Sequence, residues 1–378
     1  MPHPPLFVHI GLQKTGTSYL QSIFWANQEQ LAAQGLDLVP STKRAAFHTM
    51  LRVRERYQPD LDPPAVRGAL QRFERDLANA PGTRALLSQE SLSSCTPSQV
   101  ETLLGACGDR EVHVVLTVRD LGRQLPSAWQ ENLRAGGSVP YEKYLRRLRR
   151  QSREADFGDK RPQFDPPNVL ARWAAHVPAE RIHVVTVPPP GSSPTLLLER
   201  YCRVLGVDPT ALSTDVVGSN TGLGRLQSEV LRRVNAGLEP ELRRRQVYGD
   251  VGKRYFAVRV LARQERRAIR VPTRFESWVR QLSESQISAL EEAGYTVEGD
   301  LADLRSHASA FSEEERPPKE RAVAAAAVRA LVDMLTLRAR KDEAPEPDDE
   351  GDSSTPLARA RRAAARVRER VVPGGISH

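Results

Sequence analysis

The chain has 378 residues, of which 39% are hydrophobic, and its formal net charge is +8. This length suits one large α/β domain plus a tail, and the chain has no run of roughly 18 apolar residues long enough to span a bilayer. The cysteines at positions 95, 107 and 202 are odd in number and widely spaced, which argues against a disulfide framework or a Cys-x-x-Cys metal site. The N-terminus has no basic segment followed by an apolar stretch, so we expect no secretion signal and a cytoplasmic location.

The first structured segment joins an apolar run to a turn framed by glycines. Residues 6–10, Leu-Phe-Val-His-Ile, predict a buried strand, and residues 19–31 have a helical pattern. Between them, residues 11–18 read Gly-Leu-Gln-Lys-Thr-Gly-Thr-Ser. Glycines let backbone N–H groups converge on an anion, while the helix N-terminus adds partial positive charge and Lys14 a full charge. The turn therefore predicts a phosphate or sulfate site.

The order of residues in this turn differs from that of a nucleotide-hydrolase loop. There, the lysine follows the second glycine and precedes a hydroxyl that binds magnesium; here, Lys14 precedes Gly16. The turn resembles the 5′-phosphosulfate loop of sulfotransferases that use 3′-phosphoadenosine 5′-phosphosulfate (PAPS). This resemblance implies that the loop binds the cosubstrate through Gln13, Lys14, Thr15, Gly16, Thr17 and Ser18.

Two helical insertions are predicted, at residues 46–80 and 138–176. Sulfotransferases build acceptor specificity from such segments, so the resemblance implies that these two roof the acceptor site. His48 lies in the first insertion and is a candidate for acceptor contact or for the base. A lone histidine is more often a surface or core residue, and both interpretations stay open.

A candidate general base ends the next apolar run. Residues 84–88 predict a short strand, and Glu90 follows it. Because ligands of open α/β sheets bind at the carboxyl ends of the strands, we expect Glu90 and Lys14 in one crevice. A strand-end glutamate acts as base in similar Golgi and bacterial sulfotransferases, which implies the same role here. The alternative is that Glu90 caps the following helix or pairs with an arginine.

A second motif supports the same resemblance. Residues 113–118 predict a buried strand that ends at Arg119, and Ser127 lies eight residues later in the helix predicted over residues 121–133. An arginine and a serine at this spacing resemble the 3′-phosphate site of PAPS-dependent sulfotransferases. The pairing is physically reasonable, because a guanidinium can bind a phosphate through two hydrogen bonds and a hydroxyl can donate a third. The resemblance implies that Arg119 and Ser127 hold that phosphate.

The remaining pattern predicts the fold and the division of the chain. Residues 181–187 predict another strand, and apolar strands alternate with helices up to residue 310. This predicts an α/β fold of three layers, with a mainly parallel central sheet between helices. We expect a domain at 1–310, a helical extension at 311–340, and a disordered acidic linker with an arginine-rich tail at 341–378. That tail could contact an anionic membrane at its surface.

These features predict a sulfotransferase that moves a sulfuryl group from PAPS to a hydroxyl or amine of a small-molecule, lipid-linked or carbohydrate acceptor. No metal is expected, because lysine and backbone dipoles supply the electrostatics. Two alternatives stay open: a P-loop kinase that uses magnesium at Asp120, and a protein that binds the nucleotide without turnover. The arginine-rich helices lack interleaved aromatics, so we expect no nucleic-acid partner.

Overall fold

The computed structural model of the chain describes residues 4–154, 161–215, 222–264, 267–313 and 315–343. The chain divides into two units, Met1–Val328 and Arg329–His378. The predicted three-part division, with boundaries at residues 310 and 340, stays a prediction. The arginine-rich tail after residue 343 lies outside the described residues, and so does most of the predicted acidic linker.

A six-stranded sheet, in the order β2-β3-β1-β4-β5-β7, forms the centre of the first unit, and all of its pairings are parallel. A separate pair of two-residue strands, β6 and β8, is also parallel. The strands are β1 (Pro5–Gly11), β2 (Leu36–Leu38), β3 (Arg84–Ser88), β4 (Glu111–Val118), β5 (Ile182–Thr186), β6 (Val271–Pro272), β7 (Thr296–Glu298) and β8 (Phe311–Ser312).

Helices connect the strands and cover both faces of the sheet. In chain order they are α1 (Thr17–Ala26), α2 (Gln28–Ala33), α3 (Lys43–Val53), α4 (Ala69–Ala78), α5 (Pro97–Ala106), α6 (Leu121–Arg134), α7 (Tyr141–Arg153), α8 (Pro166–Ala174), α9 (Leu196–Leu205), α10 (Arg225–Gly237), α11 (Arg245–Tyr248), α12 (Glu276–Glu292) and α13 (Glu320–Glu343). A π-helical segment, Gly249–Val260, continues α11.

The alternation of side chains along β1 separates two hydrophobic clusters. Leu6, Val8 and Ile10 are buried against apolar residues of α3, α4, α5, α8 and α12. Phe7 points to the opposite face, where α1, α2 and α9 pack. Successive residues of a strand point to opposite faces, so one continuous apolar strand supplies both clusters. The predicted three-layer α/β fold is confirmed.

One predicted helix is interrupted. The pattern over residues 19–31 predicts a single helix, whereas the chain forms α1 and α2 with Asn27 between them. The buried side chain of Asn27 donates to the carbonyls of Ile23 and Ser213, at 2.8 and 2.9 Å. An asparagine side chain that bonds to backbone groups competes with helical hydrogen bonding, which explains the break. No helix among the described residues is long and apolar enough to cross a membrane.

The burial of His9, on β1, makes the free energy of unfolding depend on pH. Its ring is fully buried with Nδ1 2.8 Å from the Ser88 hydroxyl, and burial lowers the pKa of His9 from 6.5 to about 3. The unfolded chain binds a proton at His9 below pH 6.5 that the folded protein does not. The free energy of unfolding should therefore fall as the pH drops from 6.5 toward 3, by up to about 1.4 kcal/mol per pH unit from this residue.

We expect His9→Asn to make that fall shallower, because the variant has no titrating group at this position. Urea unfolding of the wild type and the variant at several pH values between 3 and 7 measures the difference. His176→Asn, at an exposed position, is the matched control and should follow the wild type. Equal slopes in the His9→Asn variant and the wild type would contradict the assignment.

Candidate active site

The loop between β1 and α1 lies at the carboxyl ends of β1, β3 and β4 and depends on two glycines. Gly11 has φ +113°, and a Cβ there would lie 2.8 Å from the carbonyl oxygen of Glu90. Gly16, the N-cap of α1, has φ +87°, and a Cβ there would lie 2.5 Å from Cδ2 of Leu197. A side chain at either position would combine an unfavourable φ with a clash. The loop can therefore pack closely against the end of β3 and against α9.

Hydrogen bonds fasten this loop to the end of β4. The Leu12 N–H donates to the Thr117 carbonyl at 2.8 Å, and the Thr15 hydroxyl, which donates to the Leu12 carbonyl, lies 2.5 Å from Thr117 Oγ1. Arg119 Nη1 donates to the Lys14 carbonyl at 3.2 Å. The backbone N–H groups of residues 13–18 donate to no backbone carbonyl among the described residues. These groups stand at the N-terminus of α1, the arrangement that binds an oxyanion.

Glu90 lies directly beside this loop. It begins a short 3₁₀ turn after β3, and its Oε2 accepts a hydrogen bond from the Thr17 hydroxyl at the first residue of α1. Burial raises the pKa of Glu90, and Glu131 raises it further, whereas the Thr17 hydrogen bond and Lys14 oppose the rise. A carboxylate with a raised pKa beside an anion-binding loop is suited to accept a proton.

Lys14 belongs to a cluster of charges that the sequence analysis did not identify. Its Nζ lies 3.7 Å from Oε2 of Glu131, on α6, and Lys253 Nζ lies 2.7 Å from Oε1 of the same carboxylate. Burial lowers the pKa of Lys14, with Arg134 adding to the effect and Glu131 and Glu90 opposing it. Burial alone would raise the pKa of Glu131, but Lys253 and Lys14 together lower it. The Glu131 carboxylate beside Lys14 thus opposes the effect of burial on the pKa of Lys14.

Arg119 and Ser127 line one cavity of about 320 Å³. The guanidinium of Arg119 is half-buried, and its buried Nε has no hydrogen-bond partner among the residues that the structure describes. Burial lowers the pKa of Arg119 to about 10, and Arg123 adds to this, while Asp120 opposes it. A half-buried guanidinium can bind an anion through charge-assisted hydrogen bonds. The predicted pair of residues is therefore brought together on one cavity wall.

Asp120, the residue on which a magnesium-dependent kinase would depend, has other partners. It is buried at the N-cap of α6, where its Oδ1 accepts from the Arg123 N–H at 3.0 Å and its Oδ2 bonds to Arg123 Nε. N-caps of this type stabilise a helix by about 1 kcal/mol. Among the described residues, no group of three or more His, Cys, Asp or Glu side chains is arranged to hold a metal ion.

His48 has charged neighbours of its own. His48 is buried on α3, and its pKa is lowered by burial and by Arg72 and Arg44, while Asp62 opposes the shift. Of these charged neighbours, Arg72 and Asp62 lie in the first predicted insertion and Arg44 lies just before it; none of them is Lys14 or Glu90.

The side chains of the other predicted loop residues differ in their hydrogen bonds and in their exposure. The Thr15 and Thr17 hydroxyls are both engaged within the protein, and both residues are buried. The side chain of Ser18 is exposed in the first turn of α1. The Gln13 carbonyl accepts from Gln124 Nε2 at 3.3 Å, and the Gln13 side chain lines a second cavity together with Lys14.

Glu131 and Lys253 differ in whether the sequence alone could have indicated them as site residues. Glu131 lies four residues after Ser127 on α6, and side chains at that spacing share a face of a helix, so a search along the helix could have found it. Lys253 comes from the π-helical segment, 122 positions from its partner Glu131, and no local pattern connects the two.

The chain matches no protein-family model, and comparisons with curated proteins and with solved structures give no match.

Proposed function

We propose that this protein is a PAPS-dependent sulfotransferase that moves a sulfuryl group from PAPS to a hydroxyl or amine of a small-molecule, lipid-linked or carbohydrate acceptor. The 5′-phosphate binds to the N–H groups of residues 13–18, and the 3′-phosphate binds to Arg119 and Ser127. Lys14 and Glu90 act at the transferred group. The residues fit such a nucleotide because the two phosphate sites are neighbours, joined by the bond from Arg119 to the Lys14 carbonyl.

The observation that carries this proposal is the placement of Arg119. The half-buried guanidinium of Arg119 lines the same cavity as Ser127, and its Nη1 donates to the Lys14 carbonyl of the neighbouring loop. Two anion sites side by side are what a 3′,5′-bisphosphorylated nucleoside requires. A nucleoside 5′-diphosphate or triphosphate would use the loop and leave Arg119 without its anion.

The proposed reaction is an in-line displacement. Glu90 takes the proton of the acceptor hydroxyl as the acceptor oxygen bonds to sulfur, and the bond from sulfur to the bridging oxygen breaks. That bridging oxygen keeps the electron pair and leaves as part of the 5′-phosphate of 3′,5′-ADP (PAP). Lys14 and the loop N–H groups stabilise the negative charge that develops there. The raised pKa of Glu90 favours proton transfer to it.

The position of Asp120 favours sulfuryl transfer over the kinase alternative. Each oxygen of the Asp120 carboxylate already accepts one hydrogen bond from Arg123, and the pairing with this arginine makes Asp120 a poorer ligand for magnesium. The placement of Glu90 against Thr17 and near Lys14 likewise favours turnover over binding alone. We place the enzyme in the cytoplasm, in keeping with its buried free thiols at Cys95, Cys107 and Cys202.

Selectivity for the 3′-phosphate tests the proposal. We expect PAP to bind more tightly than 5′-ADP in metal-free titration calorimetry. Arg119→Ala should weaken PAP by about thirtyfold, because the loss of a charged hydrogen-bond partner costs about 2 kcal/mol. The affinity for 5′-ADP should change little, since that ligand has no 3′-phosphate.

The titrations with 5′-ADP also show whether Arg119→Ala disturbs the loop, because loss of the bond to the Lys14 carbonyl would weaken both nucleotides equally. Arg75→Ala, at an exposed position on α4, is the matched control for the loss of one positive charge. Equal binding of PAP and 5′-ADP by the unmodified protein would exclude a sulfotransferase.

A further inference from the structure

A second cavity, of about 510 Å³, adjoins the loop on the side of Lys14. This volume is within the range of small-molecule sites. Gln13, Lys14 and Glu131 line it, so it opens onto the position where Lys14 acts in the proposed reaction. The acceptor would therefore occupy this cavity, and the argument that follows rests on the proposed function.

The charges on the wall of this cavity are unbalanced. Four cations contribute to the lining, Lys14, Arg54, Arg56 and Arg161, against one carboxylate, Glu131. That carboxylate already has two ammonium partners, one of which, Lys253, lies outside the lining at 2.7 Å. Glu131 therefore cancels little of the positive charge of Arg56 and Arg161.

Arg161 is the cation best placed to hold an anion. Its Nη1 donates to the neutral Gln151 Oε1 at 2.7 Å, and its guanidinium lies 5.6 Å from the centre of the Tyr144 ring. Within the described ranges it has no carboxylate partner. Burial lowers the pKa of Arg161, and Arg147 adds to this effect while Tyr144 opposes it. Arg56, exposed after the end of α3, adds a second charge to the lining.

The rest of the lining combines polar side chains with Tyr144 and small apolar residues. Ser94, Asn132 and Gln163 offer hydroxyl and amide groups, and the apolar contribution comes mainly from small residues. Amides and hydroxyls both donate and accept hydrogen bonds, so they suit an acceptor with several hydroxyls. A flat apolar acceptor would leave these groups unpaired.

We propose that this cavity binds a polyhydroxylated acceptor that already carries an anionic group, a carboxylate, phosphate or sulfate, held by Arg161 and Arg56. The hydroxyl that receives the sulfuryl group then lies at the end of the cavity that Lys14 lines. Arg161 and Arg56 do not belong to the cavity of Arg119 and Ser127, which separates the acceptor anion from the 3′-phosphate.

Paired probes that differ in charge test this inference on the full chain, with and without PAP. The pairs are 4-nitrophenyl glucuronide against 4-nitrophenyl glucoside, glucose 6-phosphate against glucose, and glucose 6-sulfate against glucose. Titration calorimetry should give at least tenfold tighter binding for the acidic member of one or more pairs, and the pair that responds identifies the anion. The preference should weaken with added salt, because screening reduces the attraction.

The double variant R56Q/R161Q should reduce that preference to less than about twofold and leave PAP affinity unchanged. R161K retains the charge and should keep most of the preference, which separates a charge effect from a packing effect. R67Q, at an exposed position away from the cavity, is the matched control. Circular dichroism melting confirms that each variant is folded.

Two results would overturn the inference: acidic and neutral probes that bind alike or not at all, or a loss of PAP affinity in R56Q/R161Q as large as the loss for the acidic probe. The second result would assign the arginines to the nucleotide. Failure of the proposed function is distinguishable, because PAP would then show no preference over 5′-ADP while the acidic probe still depended on Arg56 and Arg161.

Discussion

Replacement of Glu90 by glutamine is expected to lower turnover at least a hundredfold and to leave PAP affinity within about twofold of the wild type. Glutamine keeps the shape of the side chain and can still accept from the Thr17 hydroxyl, but it cannot take a proton from the acceptor. Single-turnover transfer of radiolabelled sulfate from PAPS, with the acceptor identified by the paired probes, measures the rate. Calorimetry with PAP measures the binding.

The pH profile provides an independent check on Glu90. A base works only when it is deprotonated, so a raised pKa places the acid limb of the activity profile at higher pH than an ordinary glutamate would give. The Thr17 hydrogen bond opposes that rise, so Thr17→Val should move the acid limb further up without abolishing turnover. Near-normal activity of Glu90→Gln at every pH would rule out Glu90 as the base.

His48 is the next candidate for the base if Glu90 fails. Its burial on α3 among Arg72, Arg44 and Asp62 gives it neighbours different from those of Lys14 and Glu90. The sequence offered no means to distinguish the two residues, because both are ionisable side chains near predicted elements. Their surroundings in the fold differ, and the Glu90→Gln variant tests which of the two acts as the base.

The parts of the fold that follow from local chemistry were predictable. Continuous apolar runs indicated β1, β3, β4 and β5, since strands buried on both faces carry no polar alternation. The glycine positions in the loop were also readable, because a left-handed φ and a close approach both require glycine. The apolar runs and the glycines together predict that Lys14, Glu90 and Arg119 lie at the same edge of the sheet.

The charge partners of the site could not be predicted, because they depend on packing between distant segments. The contact of Glu131 with Lys14 requires the end of α6 to lie over the loop, and Lys253 arrives from a π-helical segment whose apolar pattern is weak. The cavity beside Arg161 depends equally on how α3, α6 and α7 converge. The break at Asn27 likewise depends on its bond to Ser213, far along the chain.

Replacement of Lys14 by alanine is expected to lower turnover by about a hundredfold or more, with a smaller loss of PAPS affinity. In the proposed reaction, Lys14 stabilises the negative charge that develops on the bridging oxygen as the bond to sulfur breaks. Its contribution is therefore largest in the transition state. Measurement of kcat and KM for PAPS separates the two effects. Lys143→Ala, at an exposed position on α7, is the matched control.

The Lys14→Ala variant also loses the partner that Glu131 shares between two lysines. Lys253 remains 2.7 Å from that carboxylate, so Glu131 keeps a counterion and the fold should keep its melting temperature to within a few degrees. A large drop in melting temperature that accompanies the fall in turnover would mean that Lys14 acts by stabilising the fold. A loss confined to KM, with kcat intact, would mean that Lys14 binds the cosubstrate but does not stabilise the leaving group.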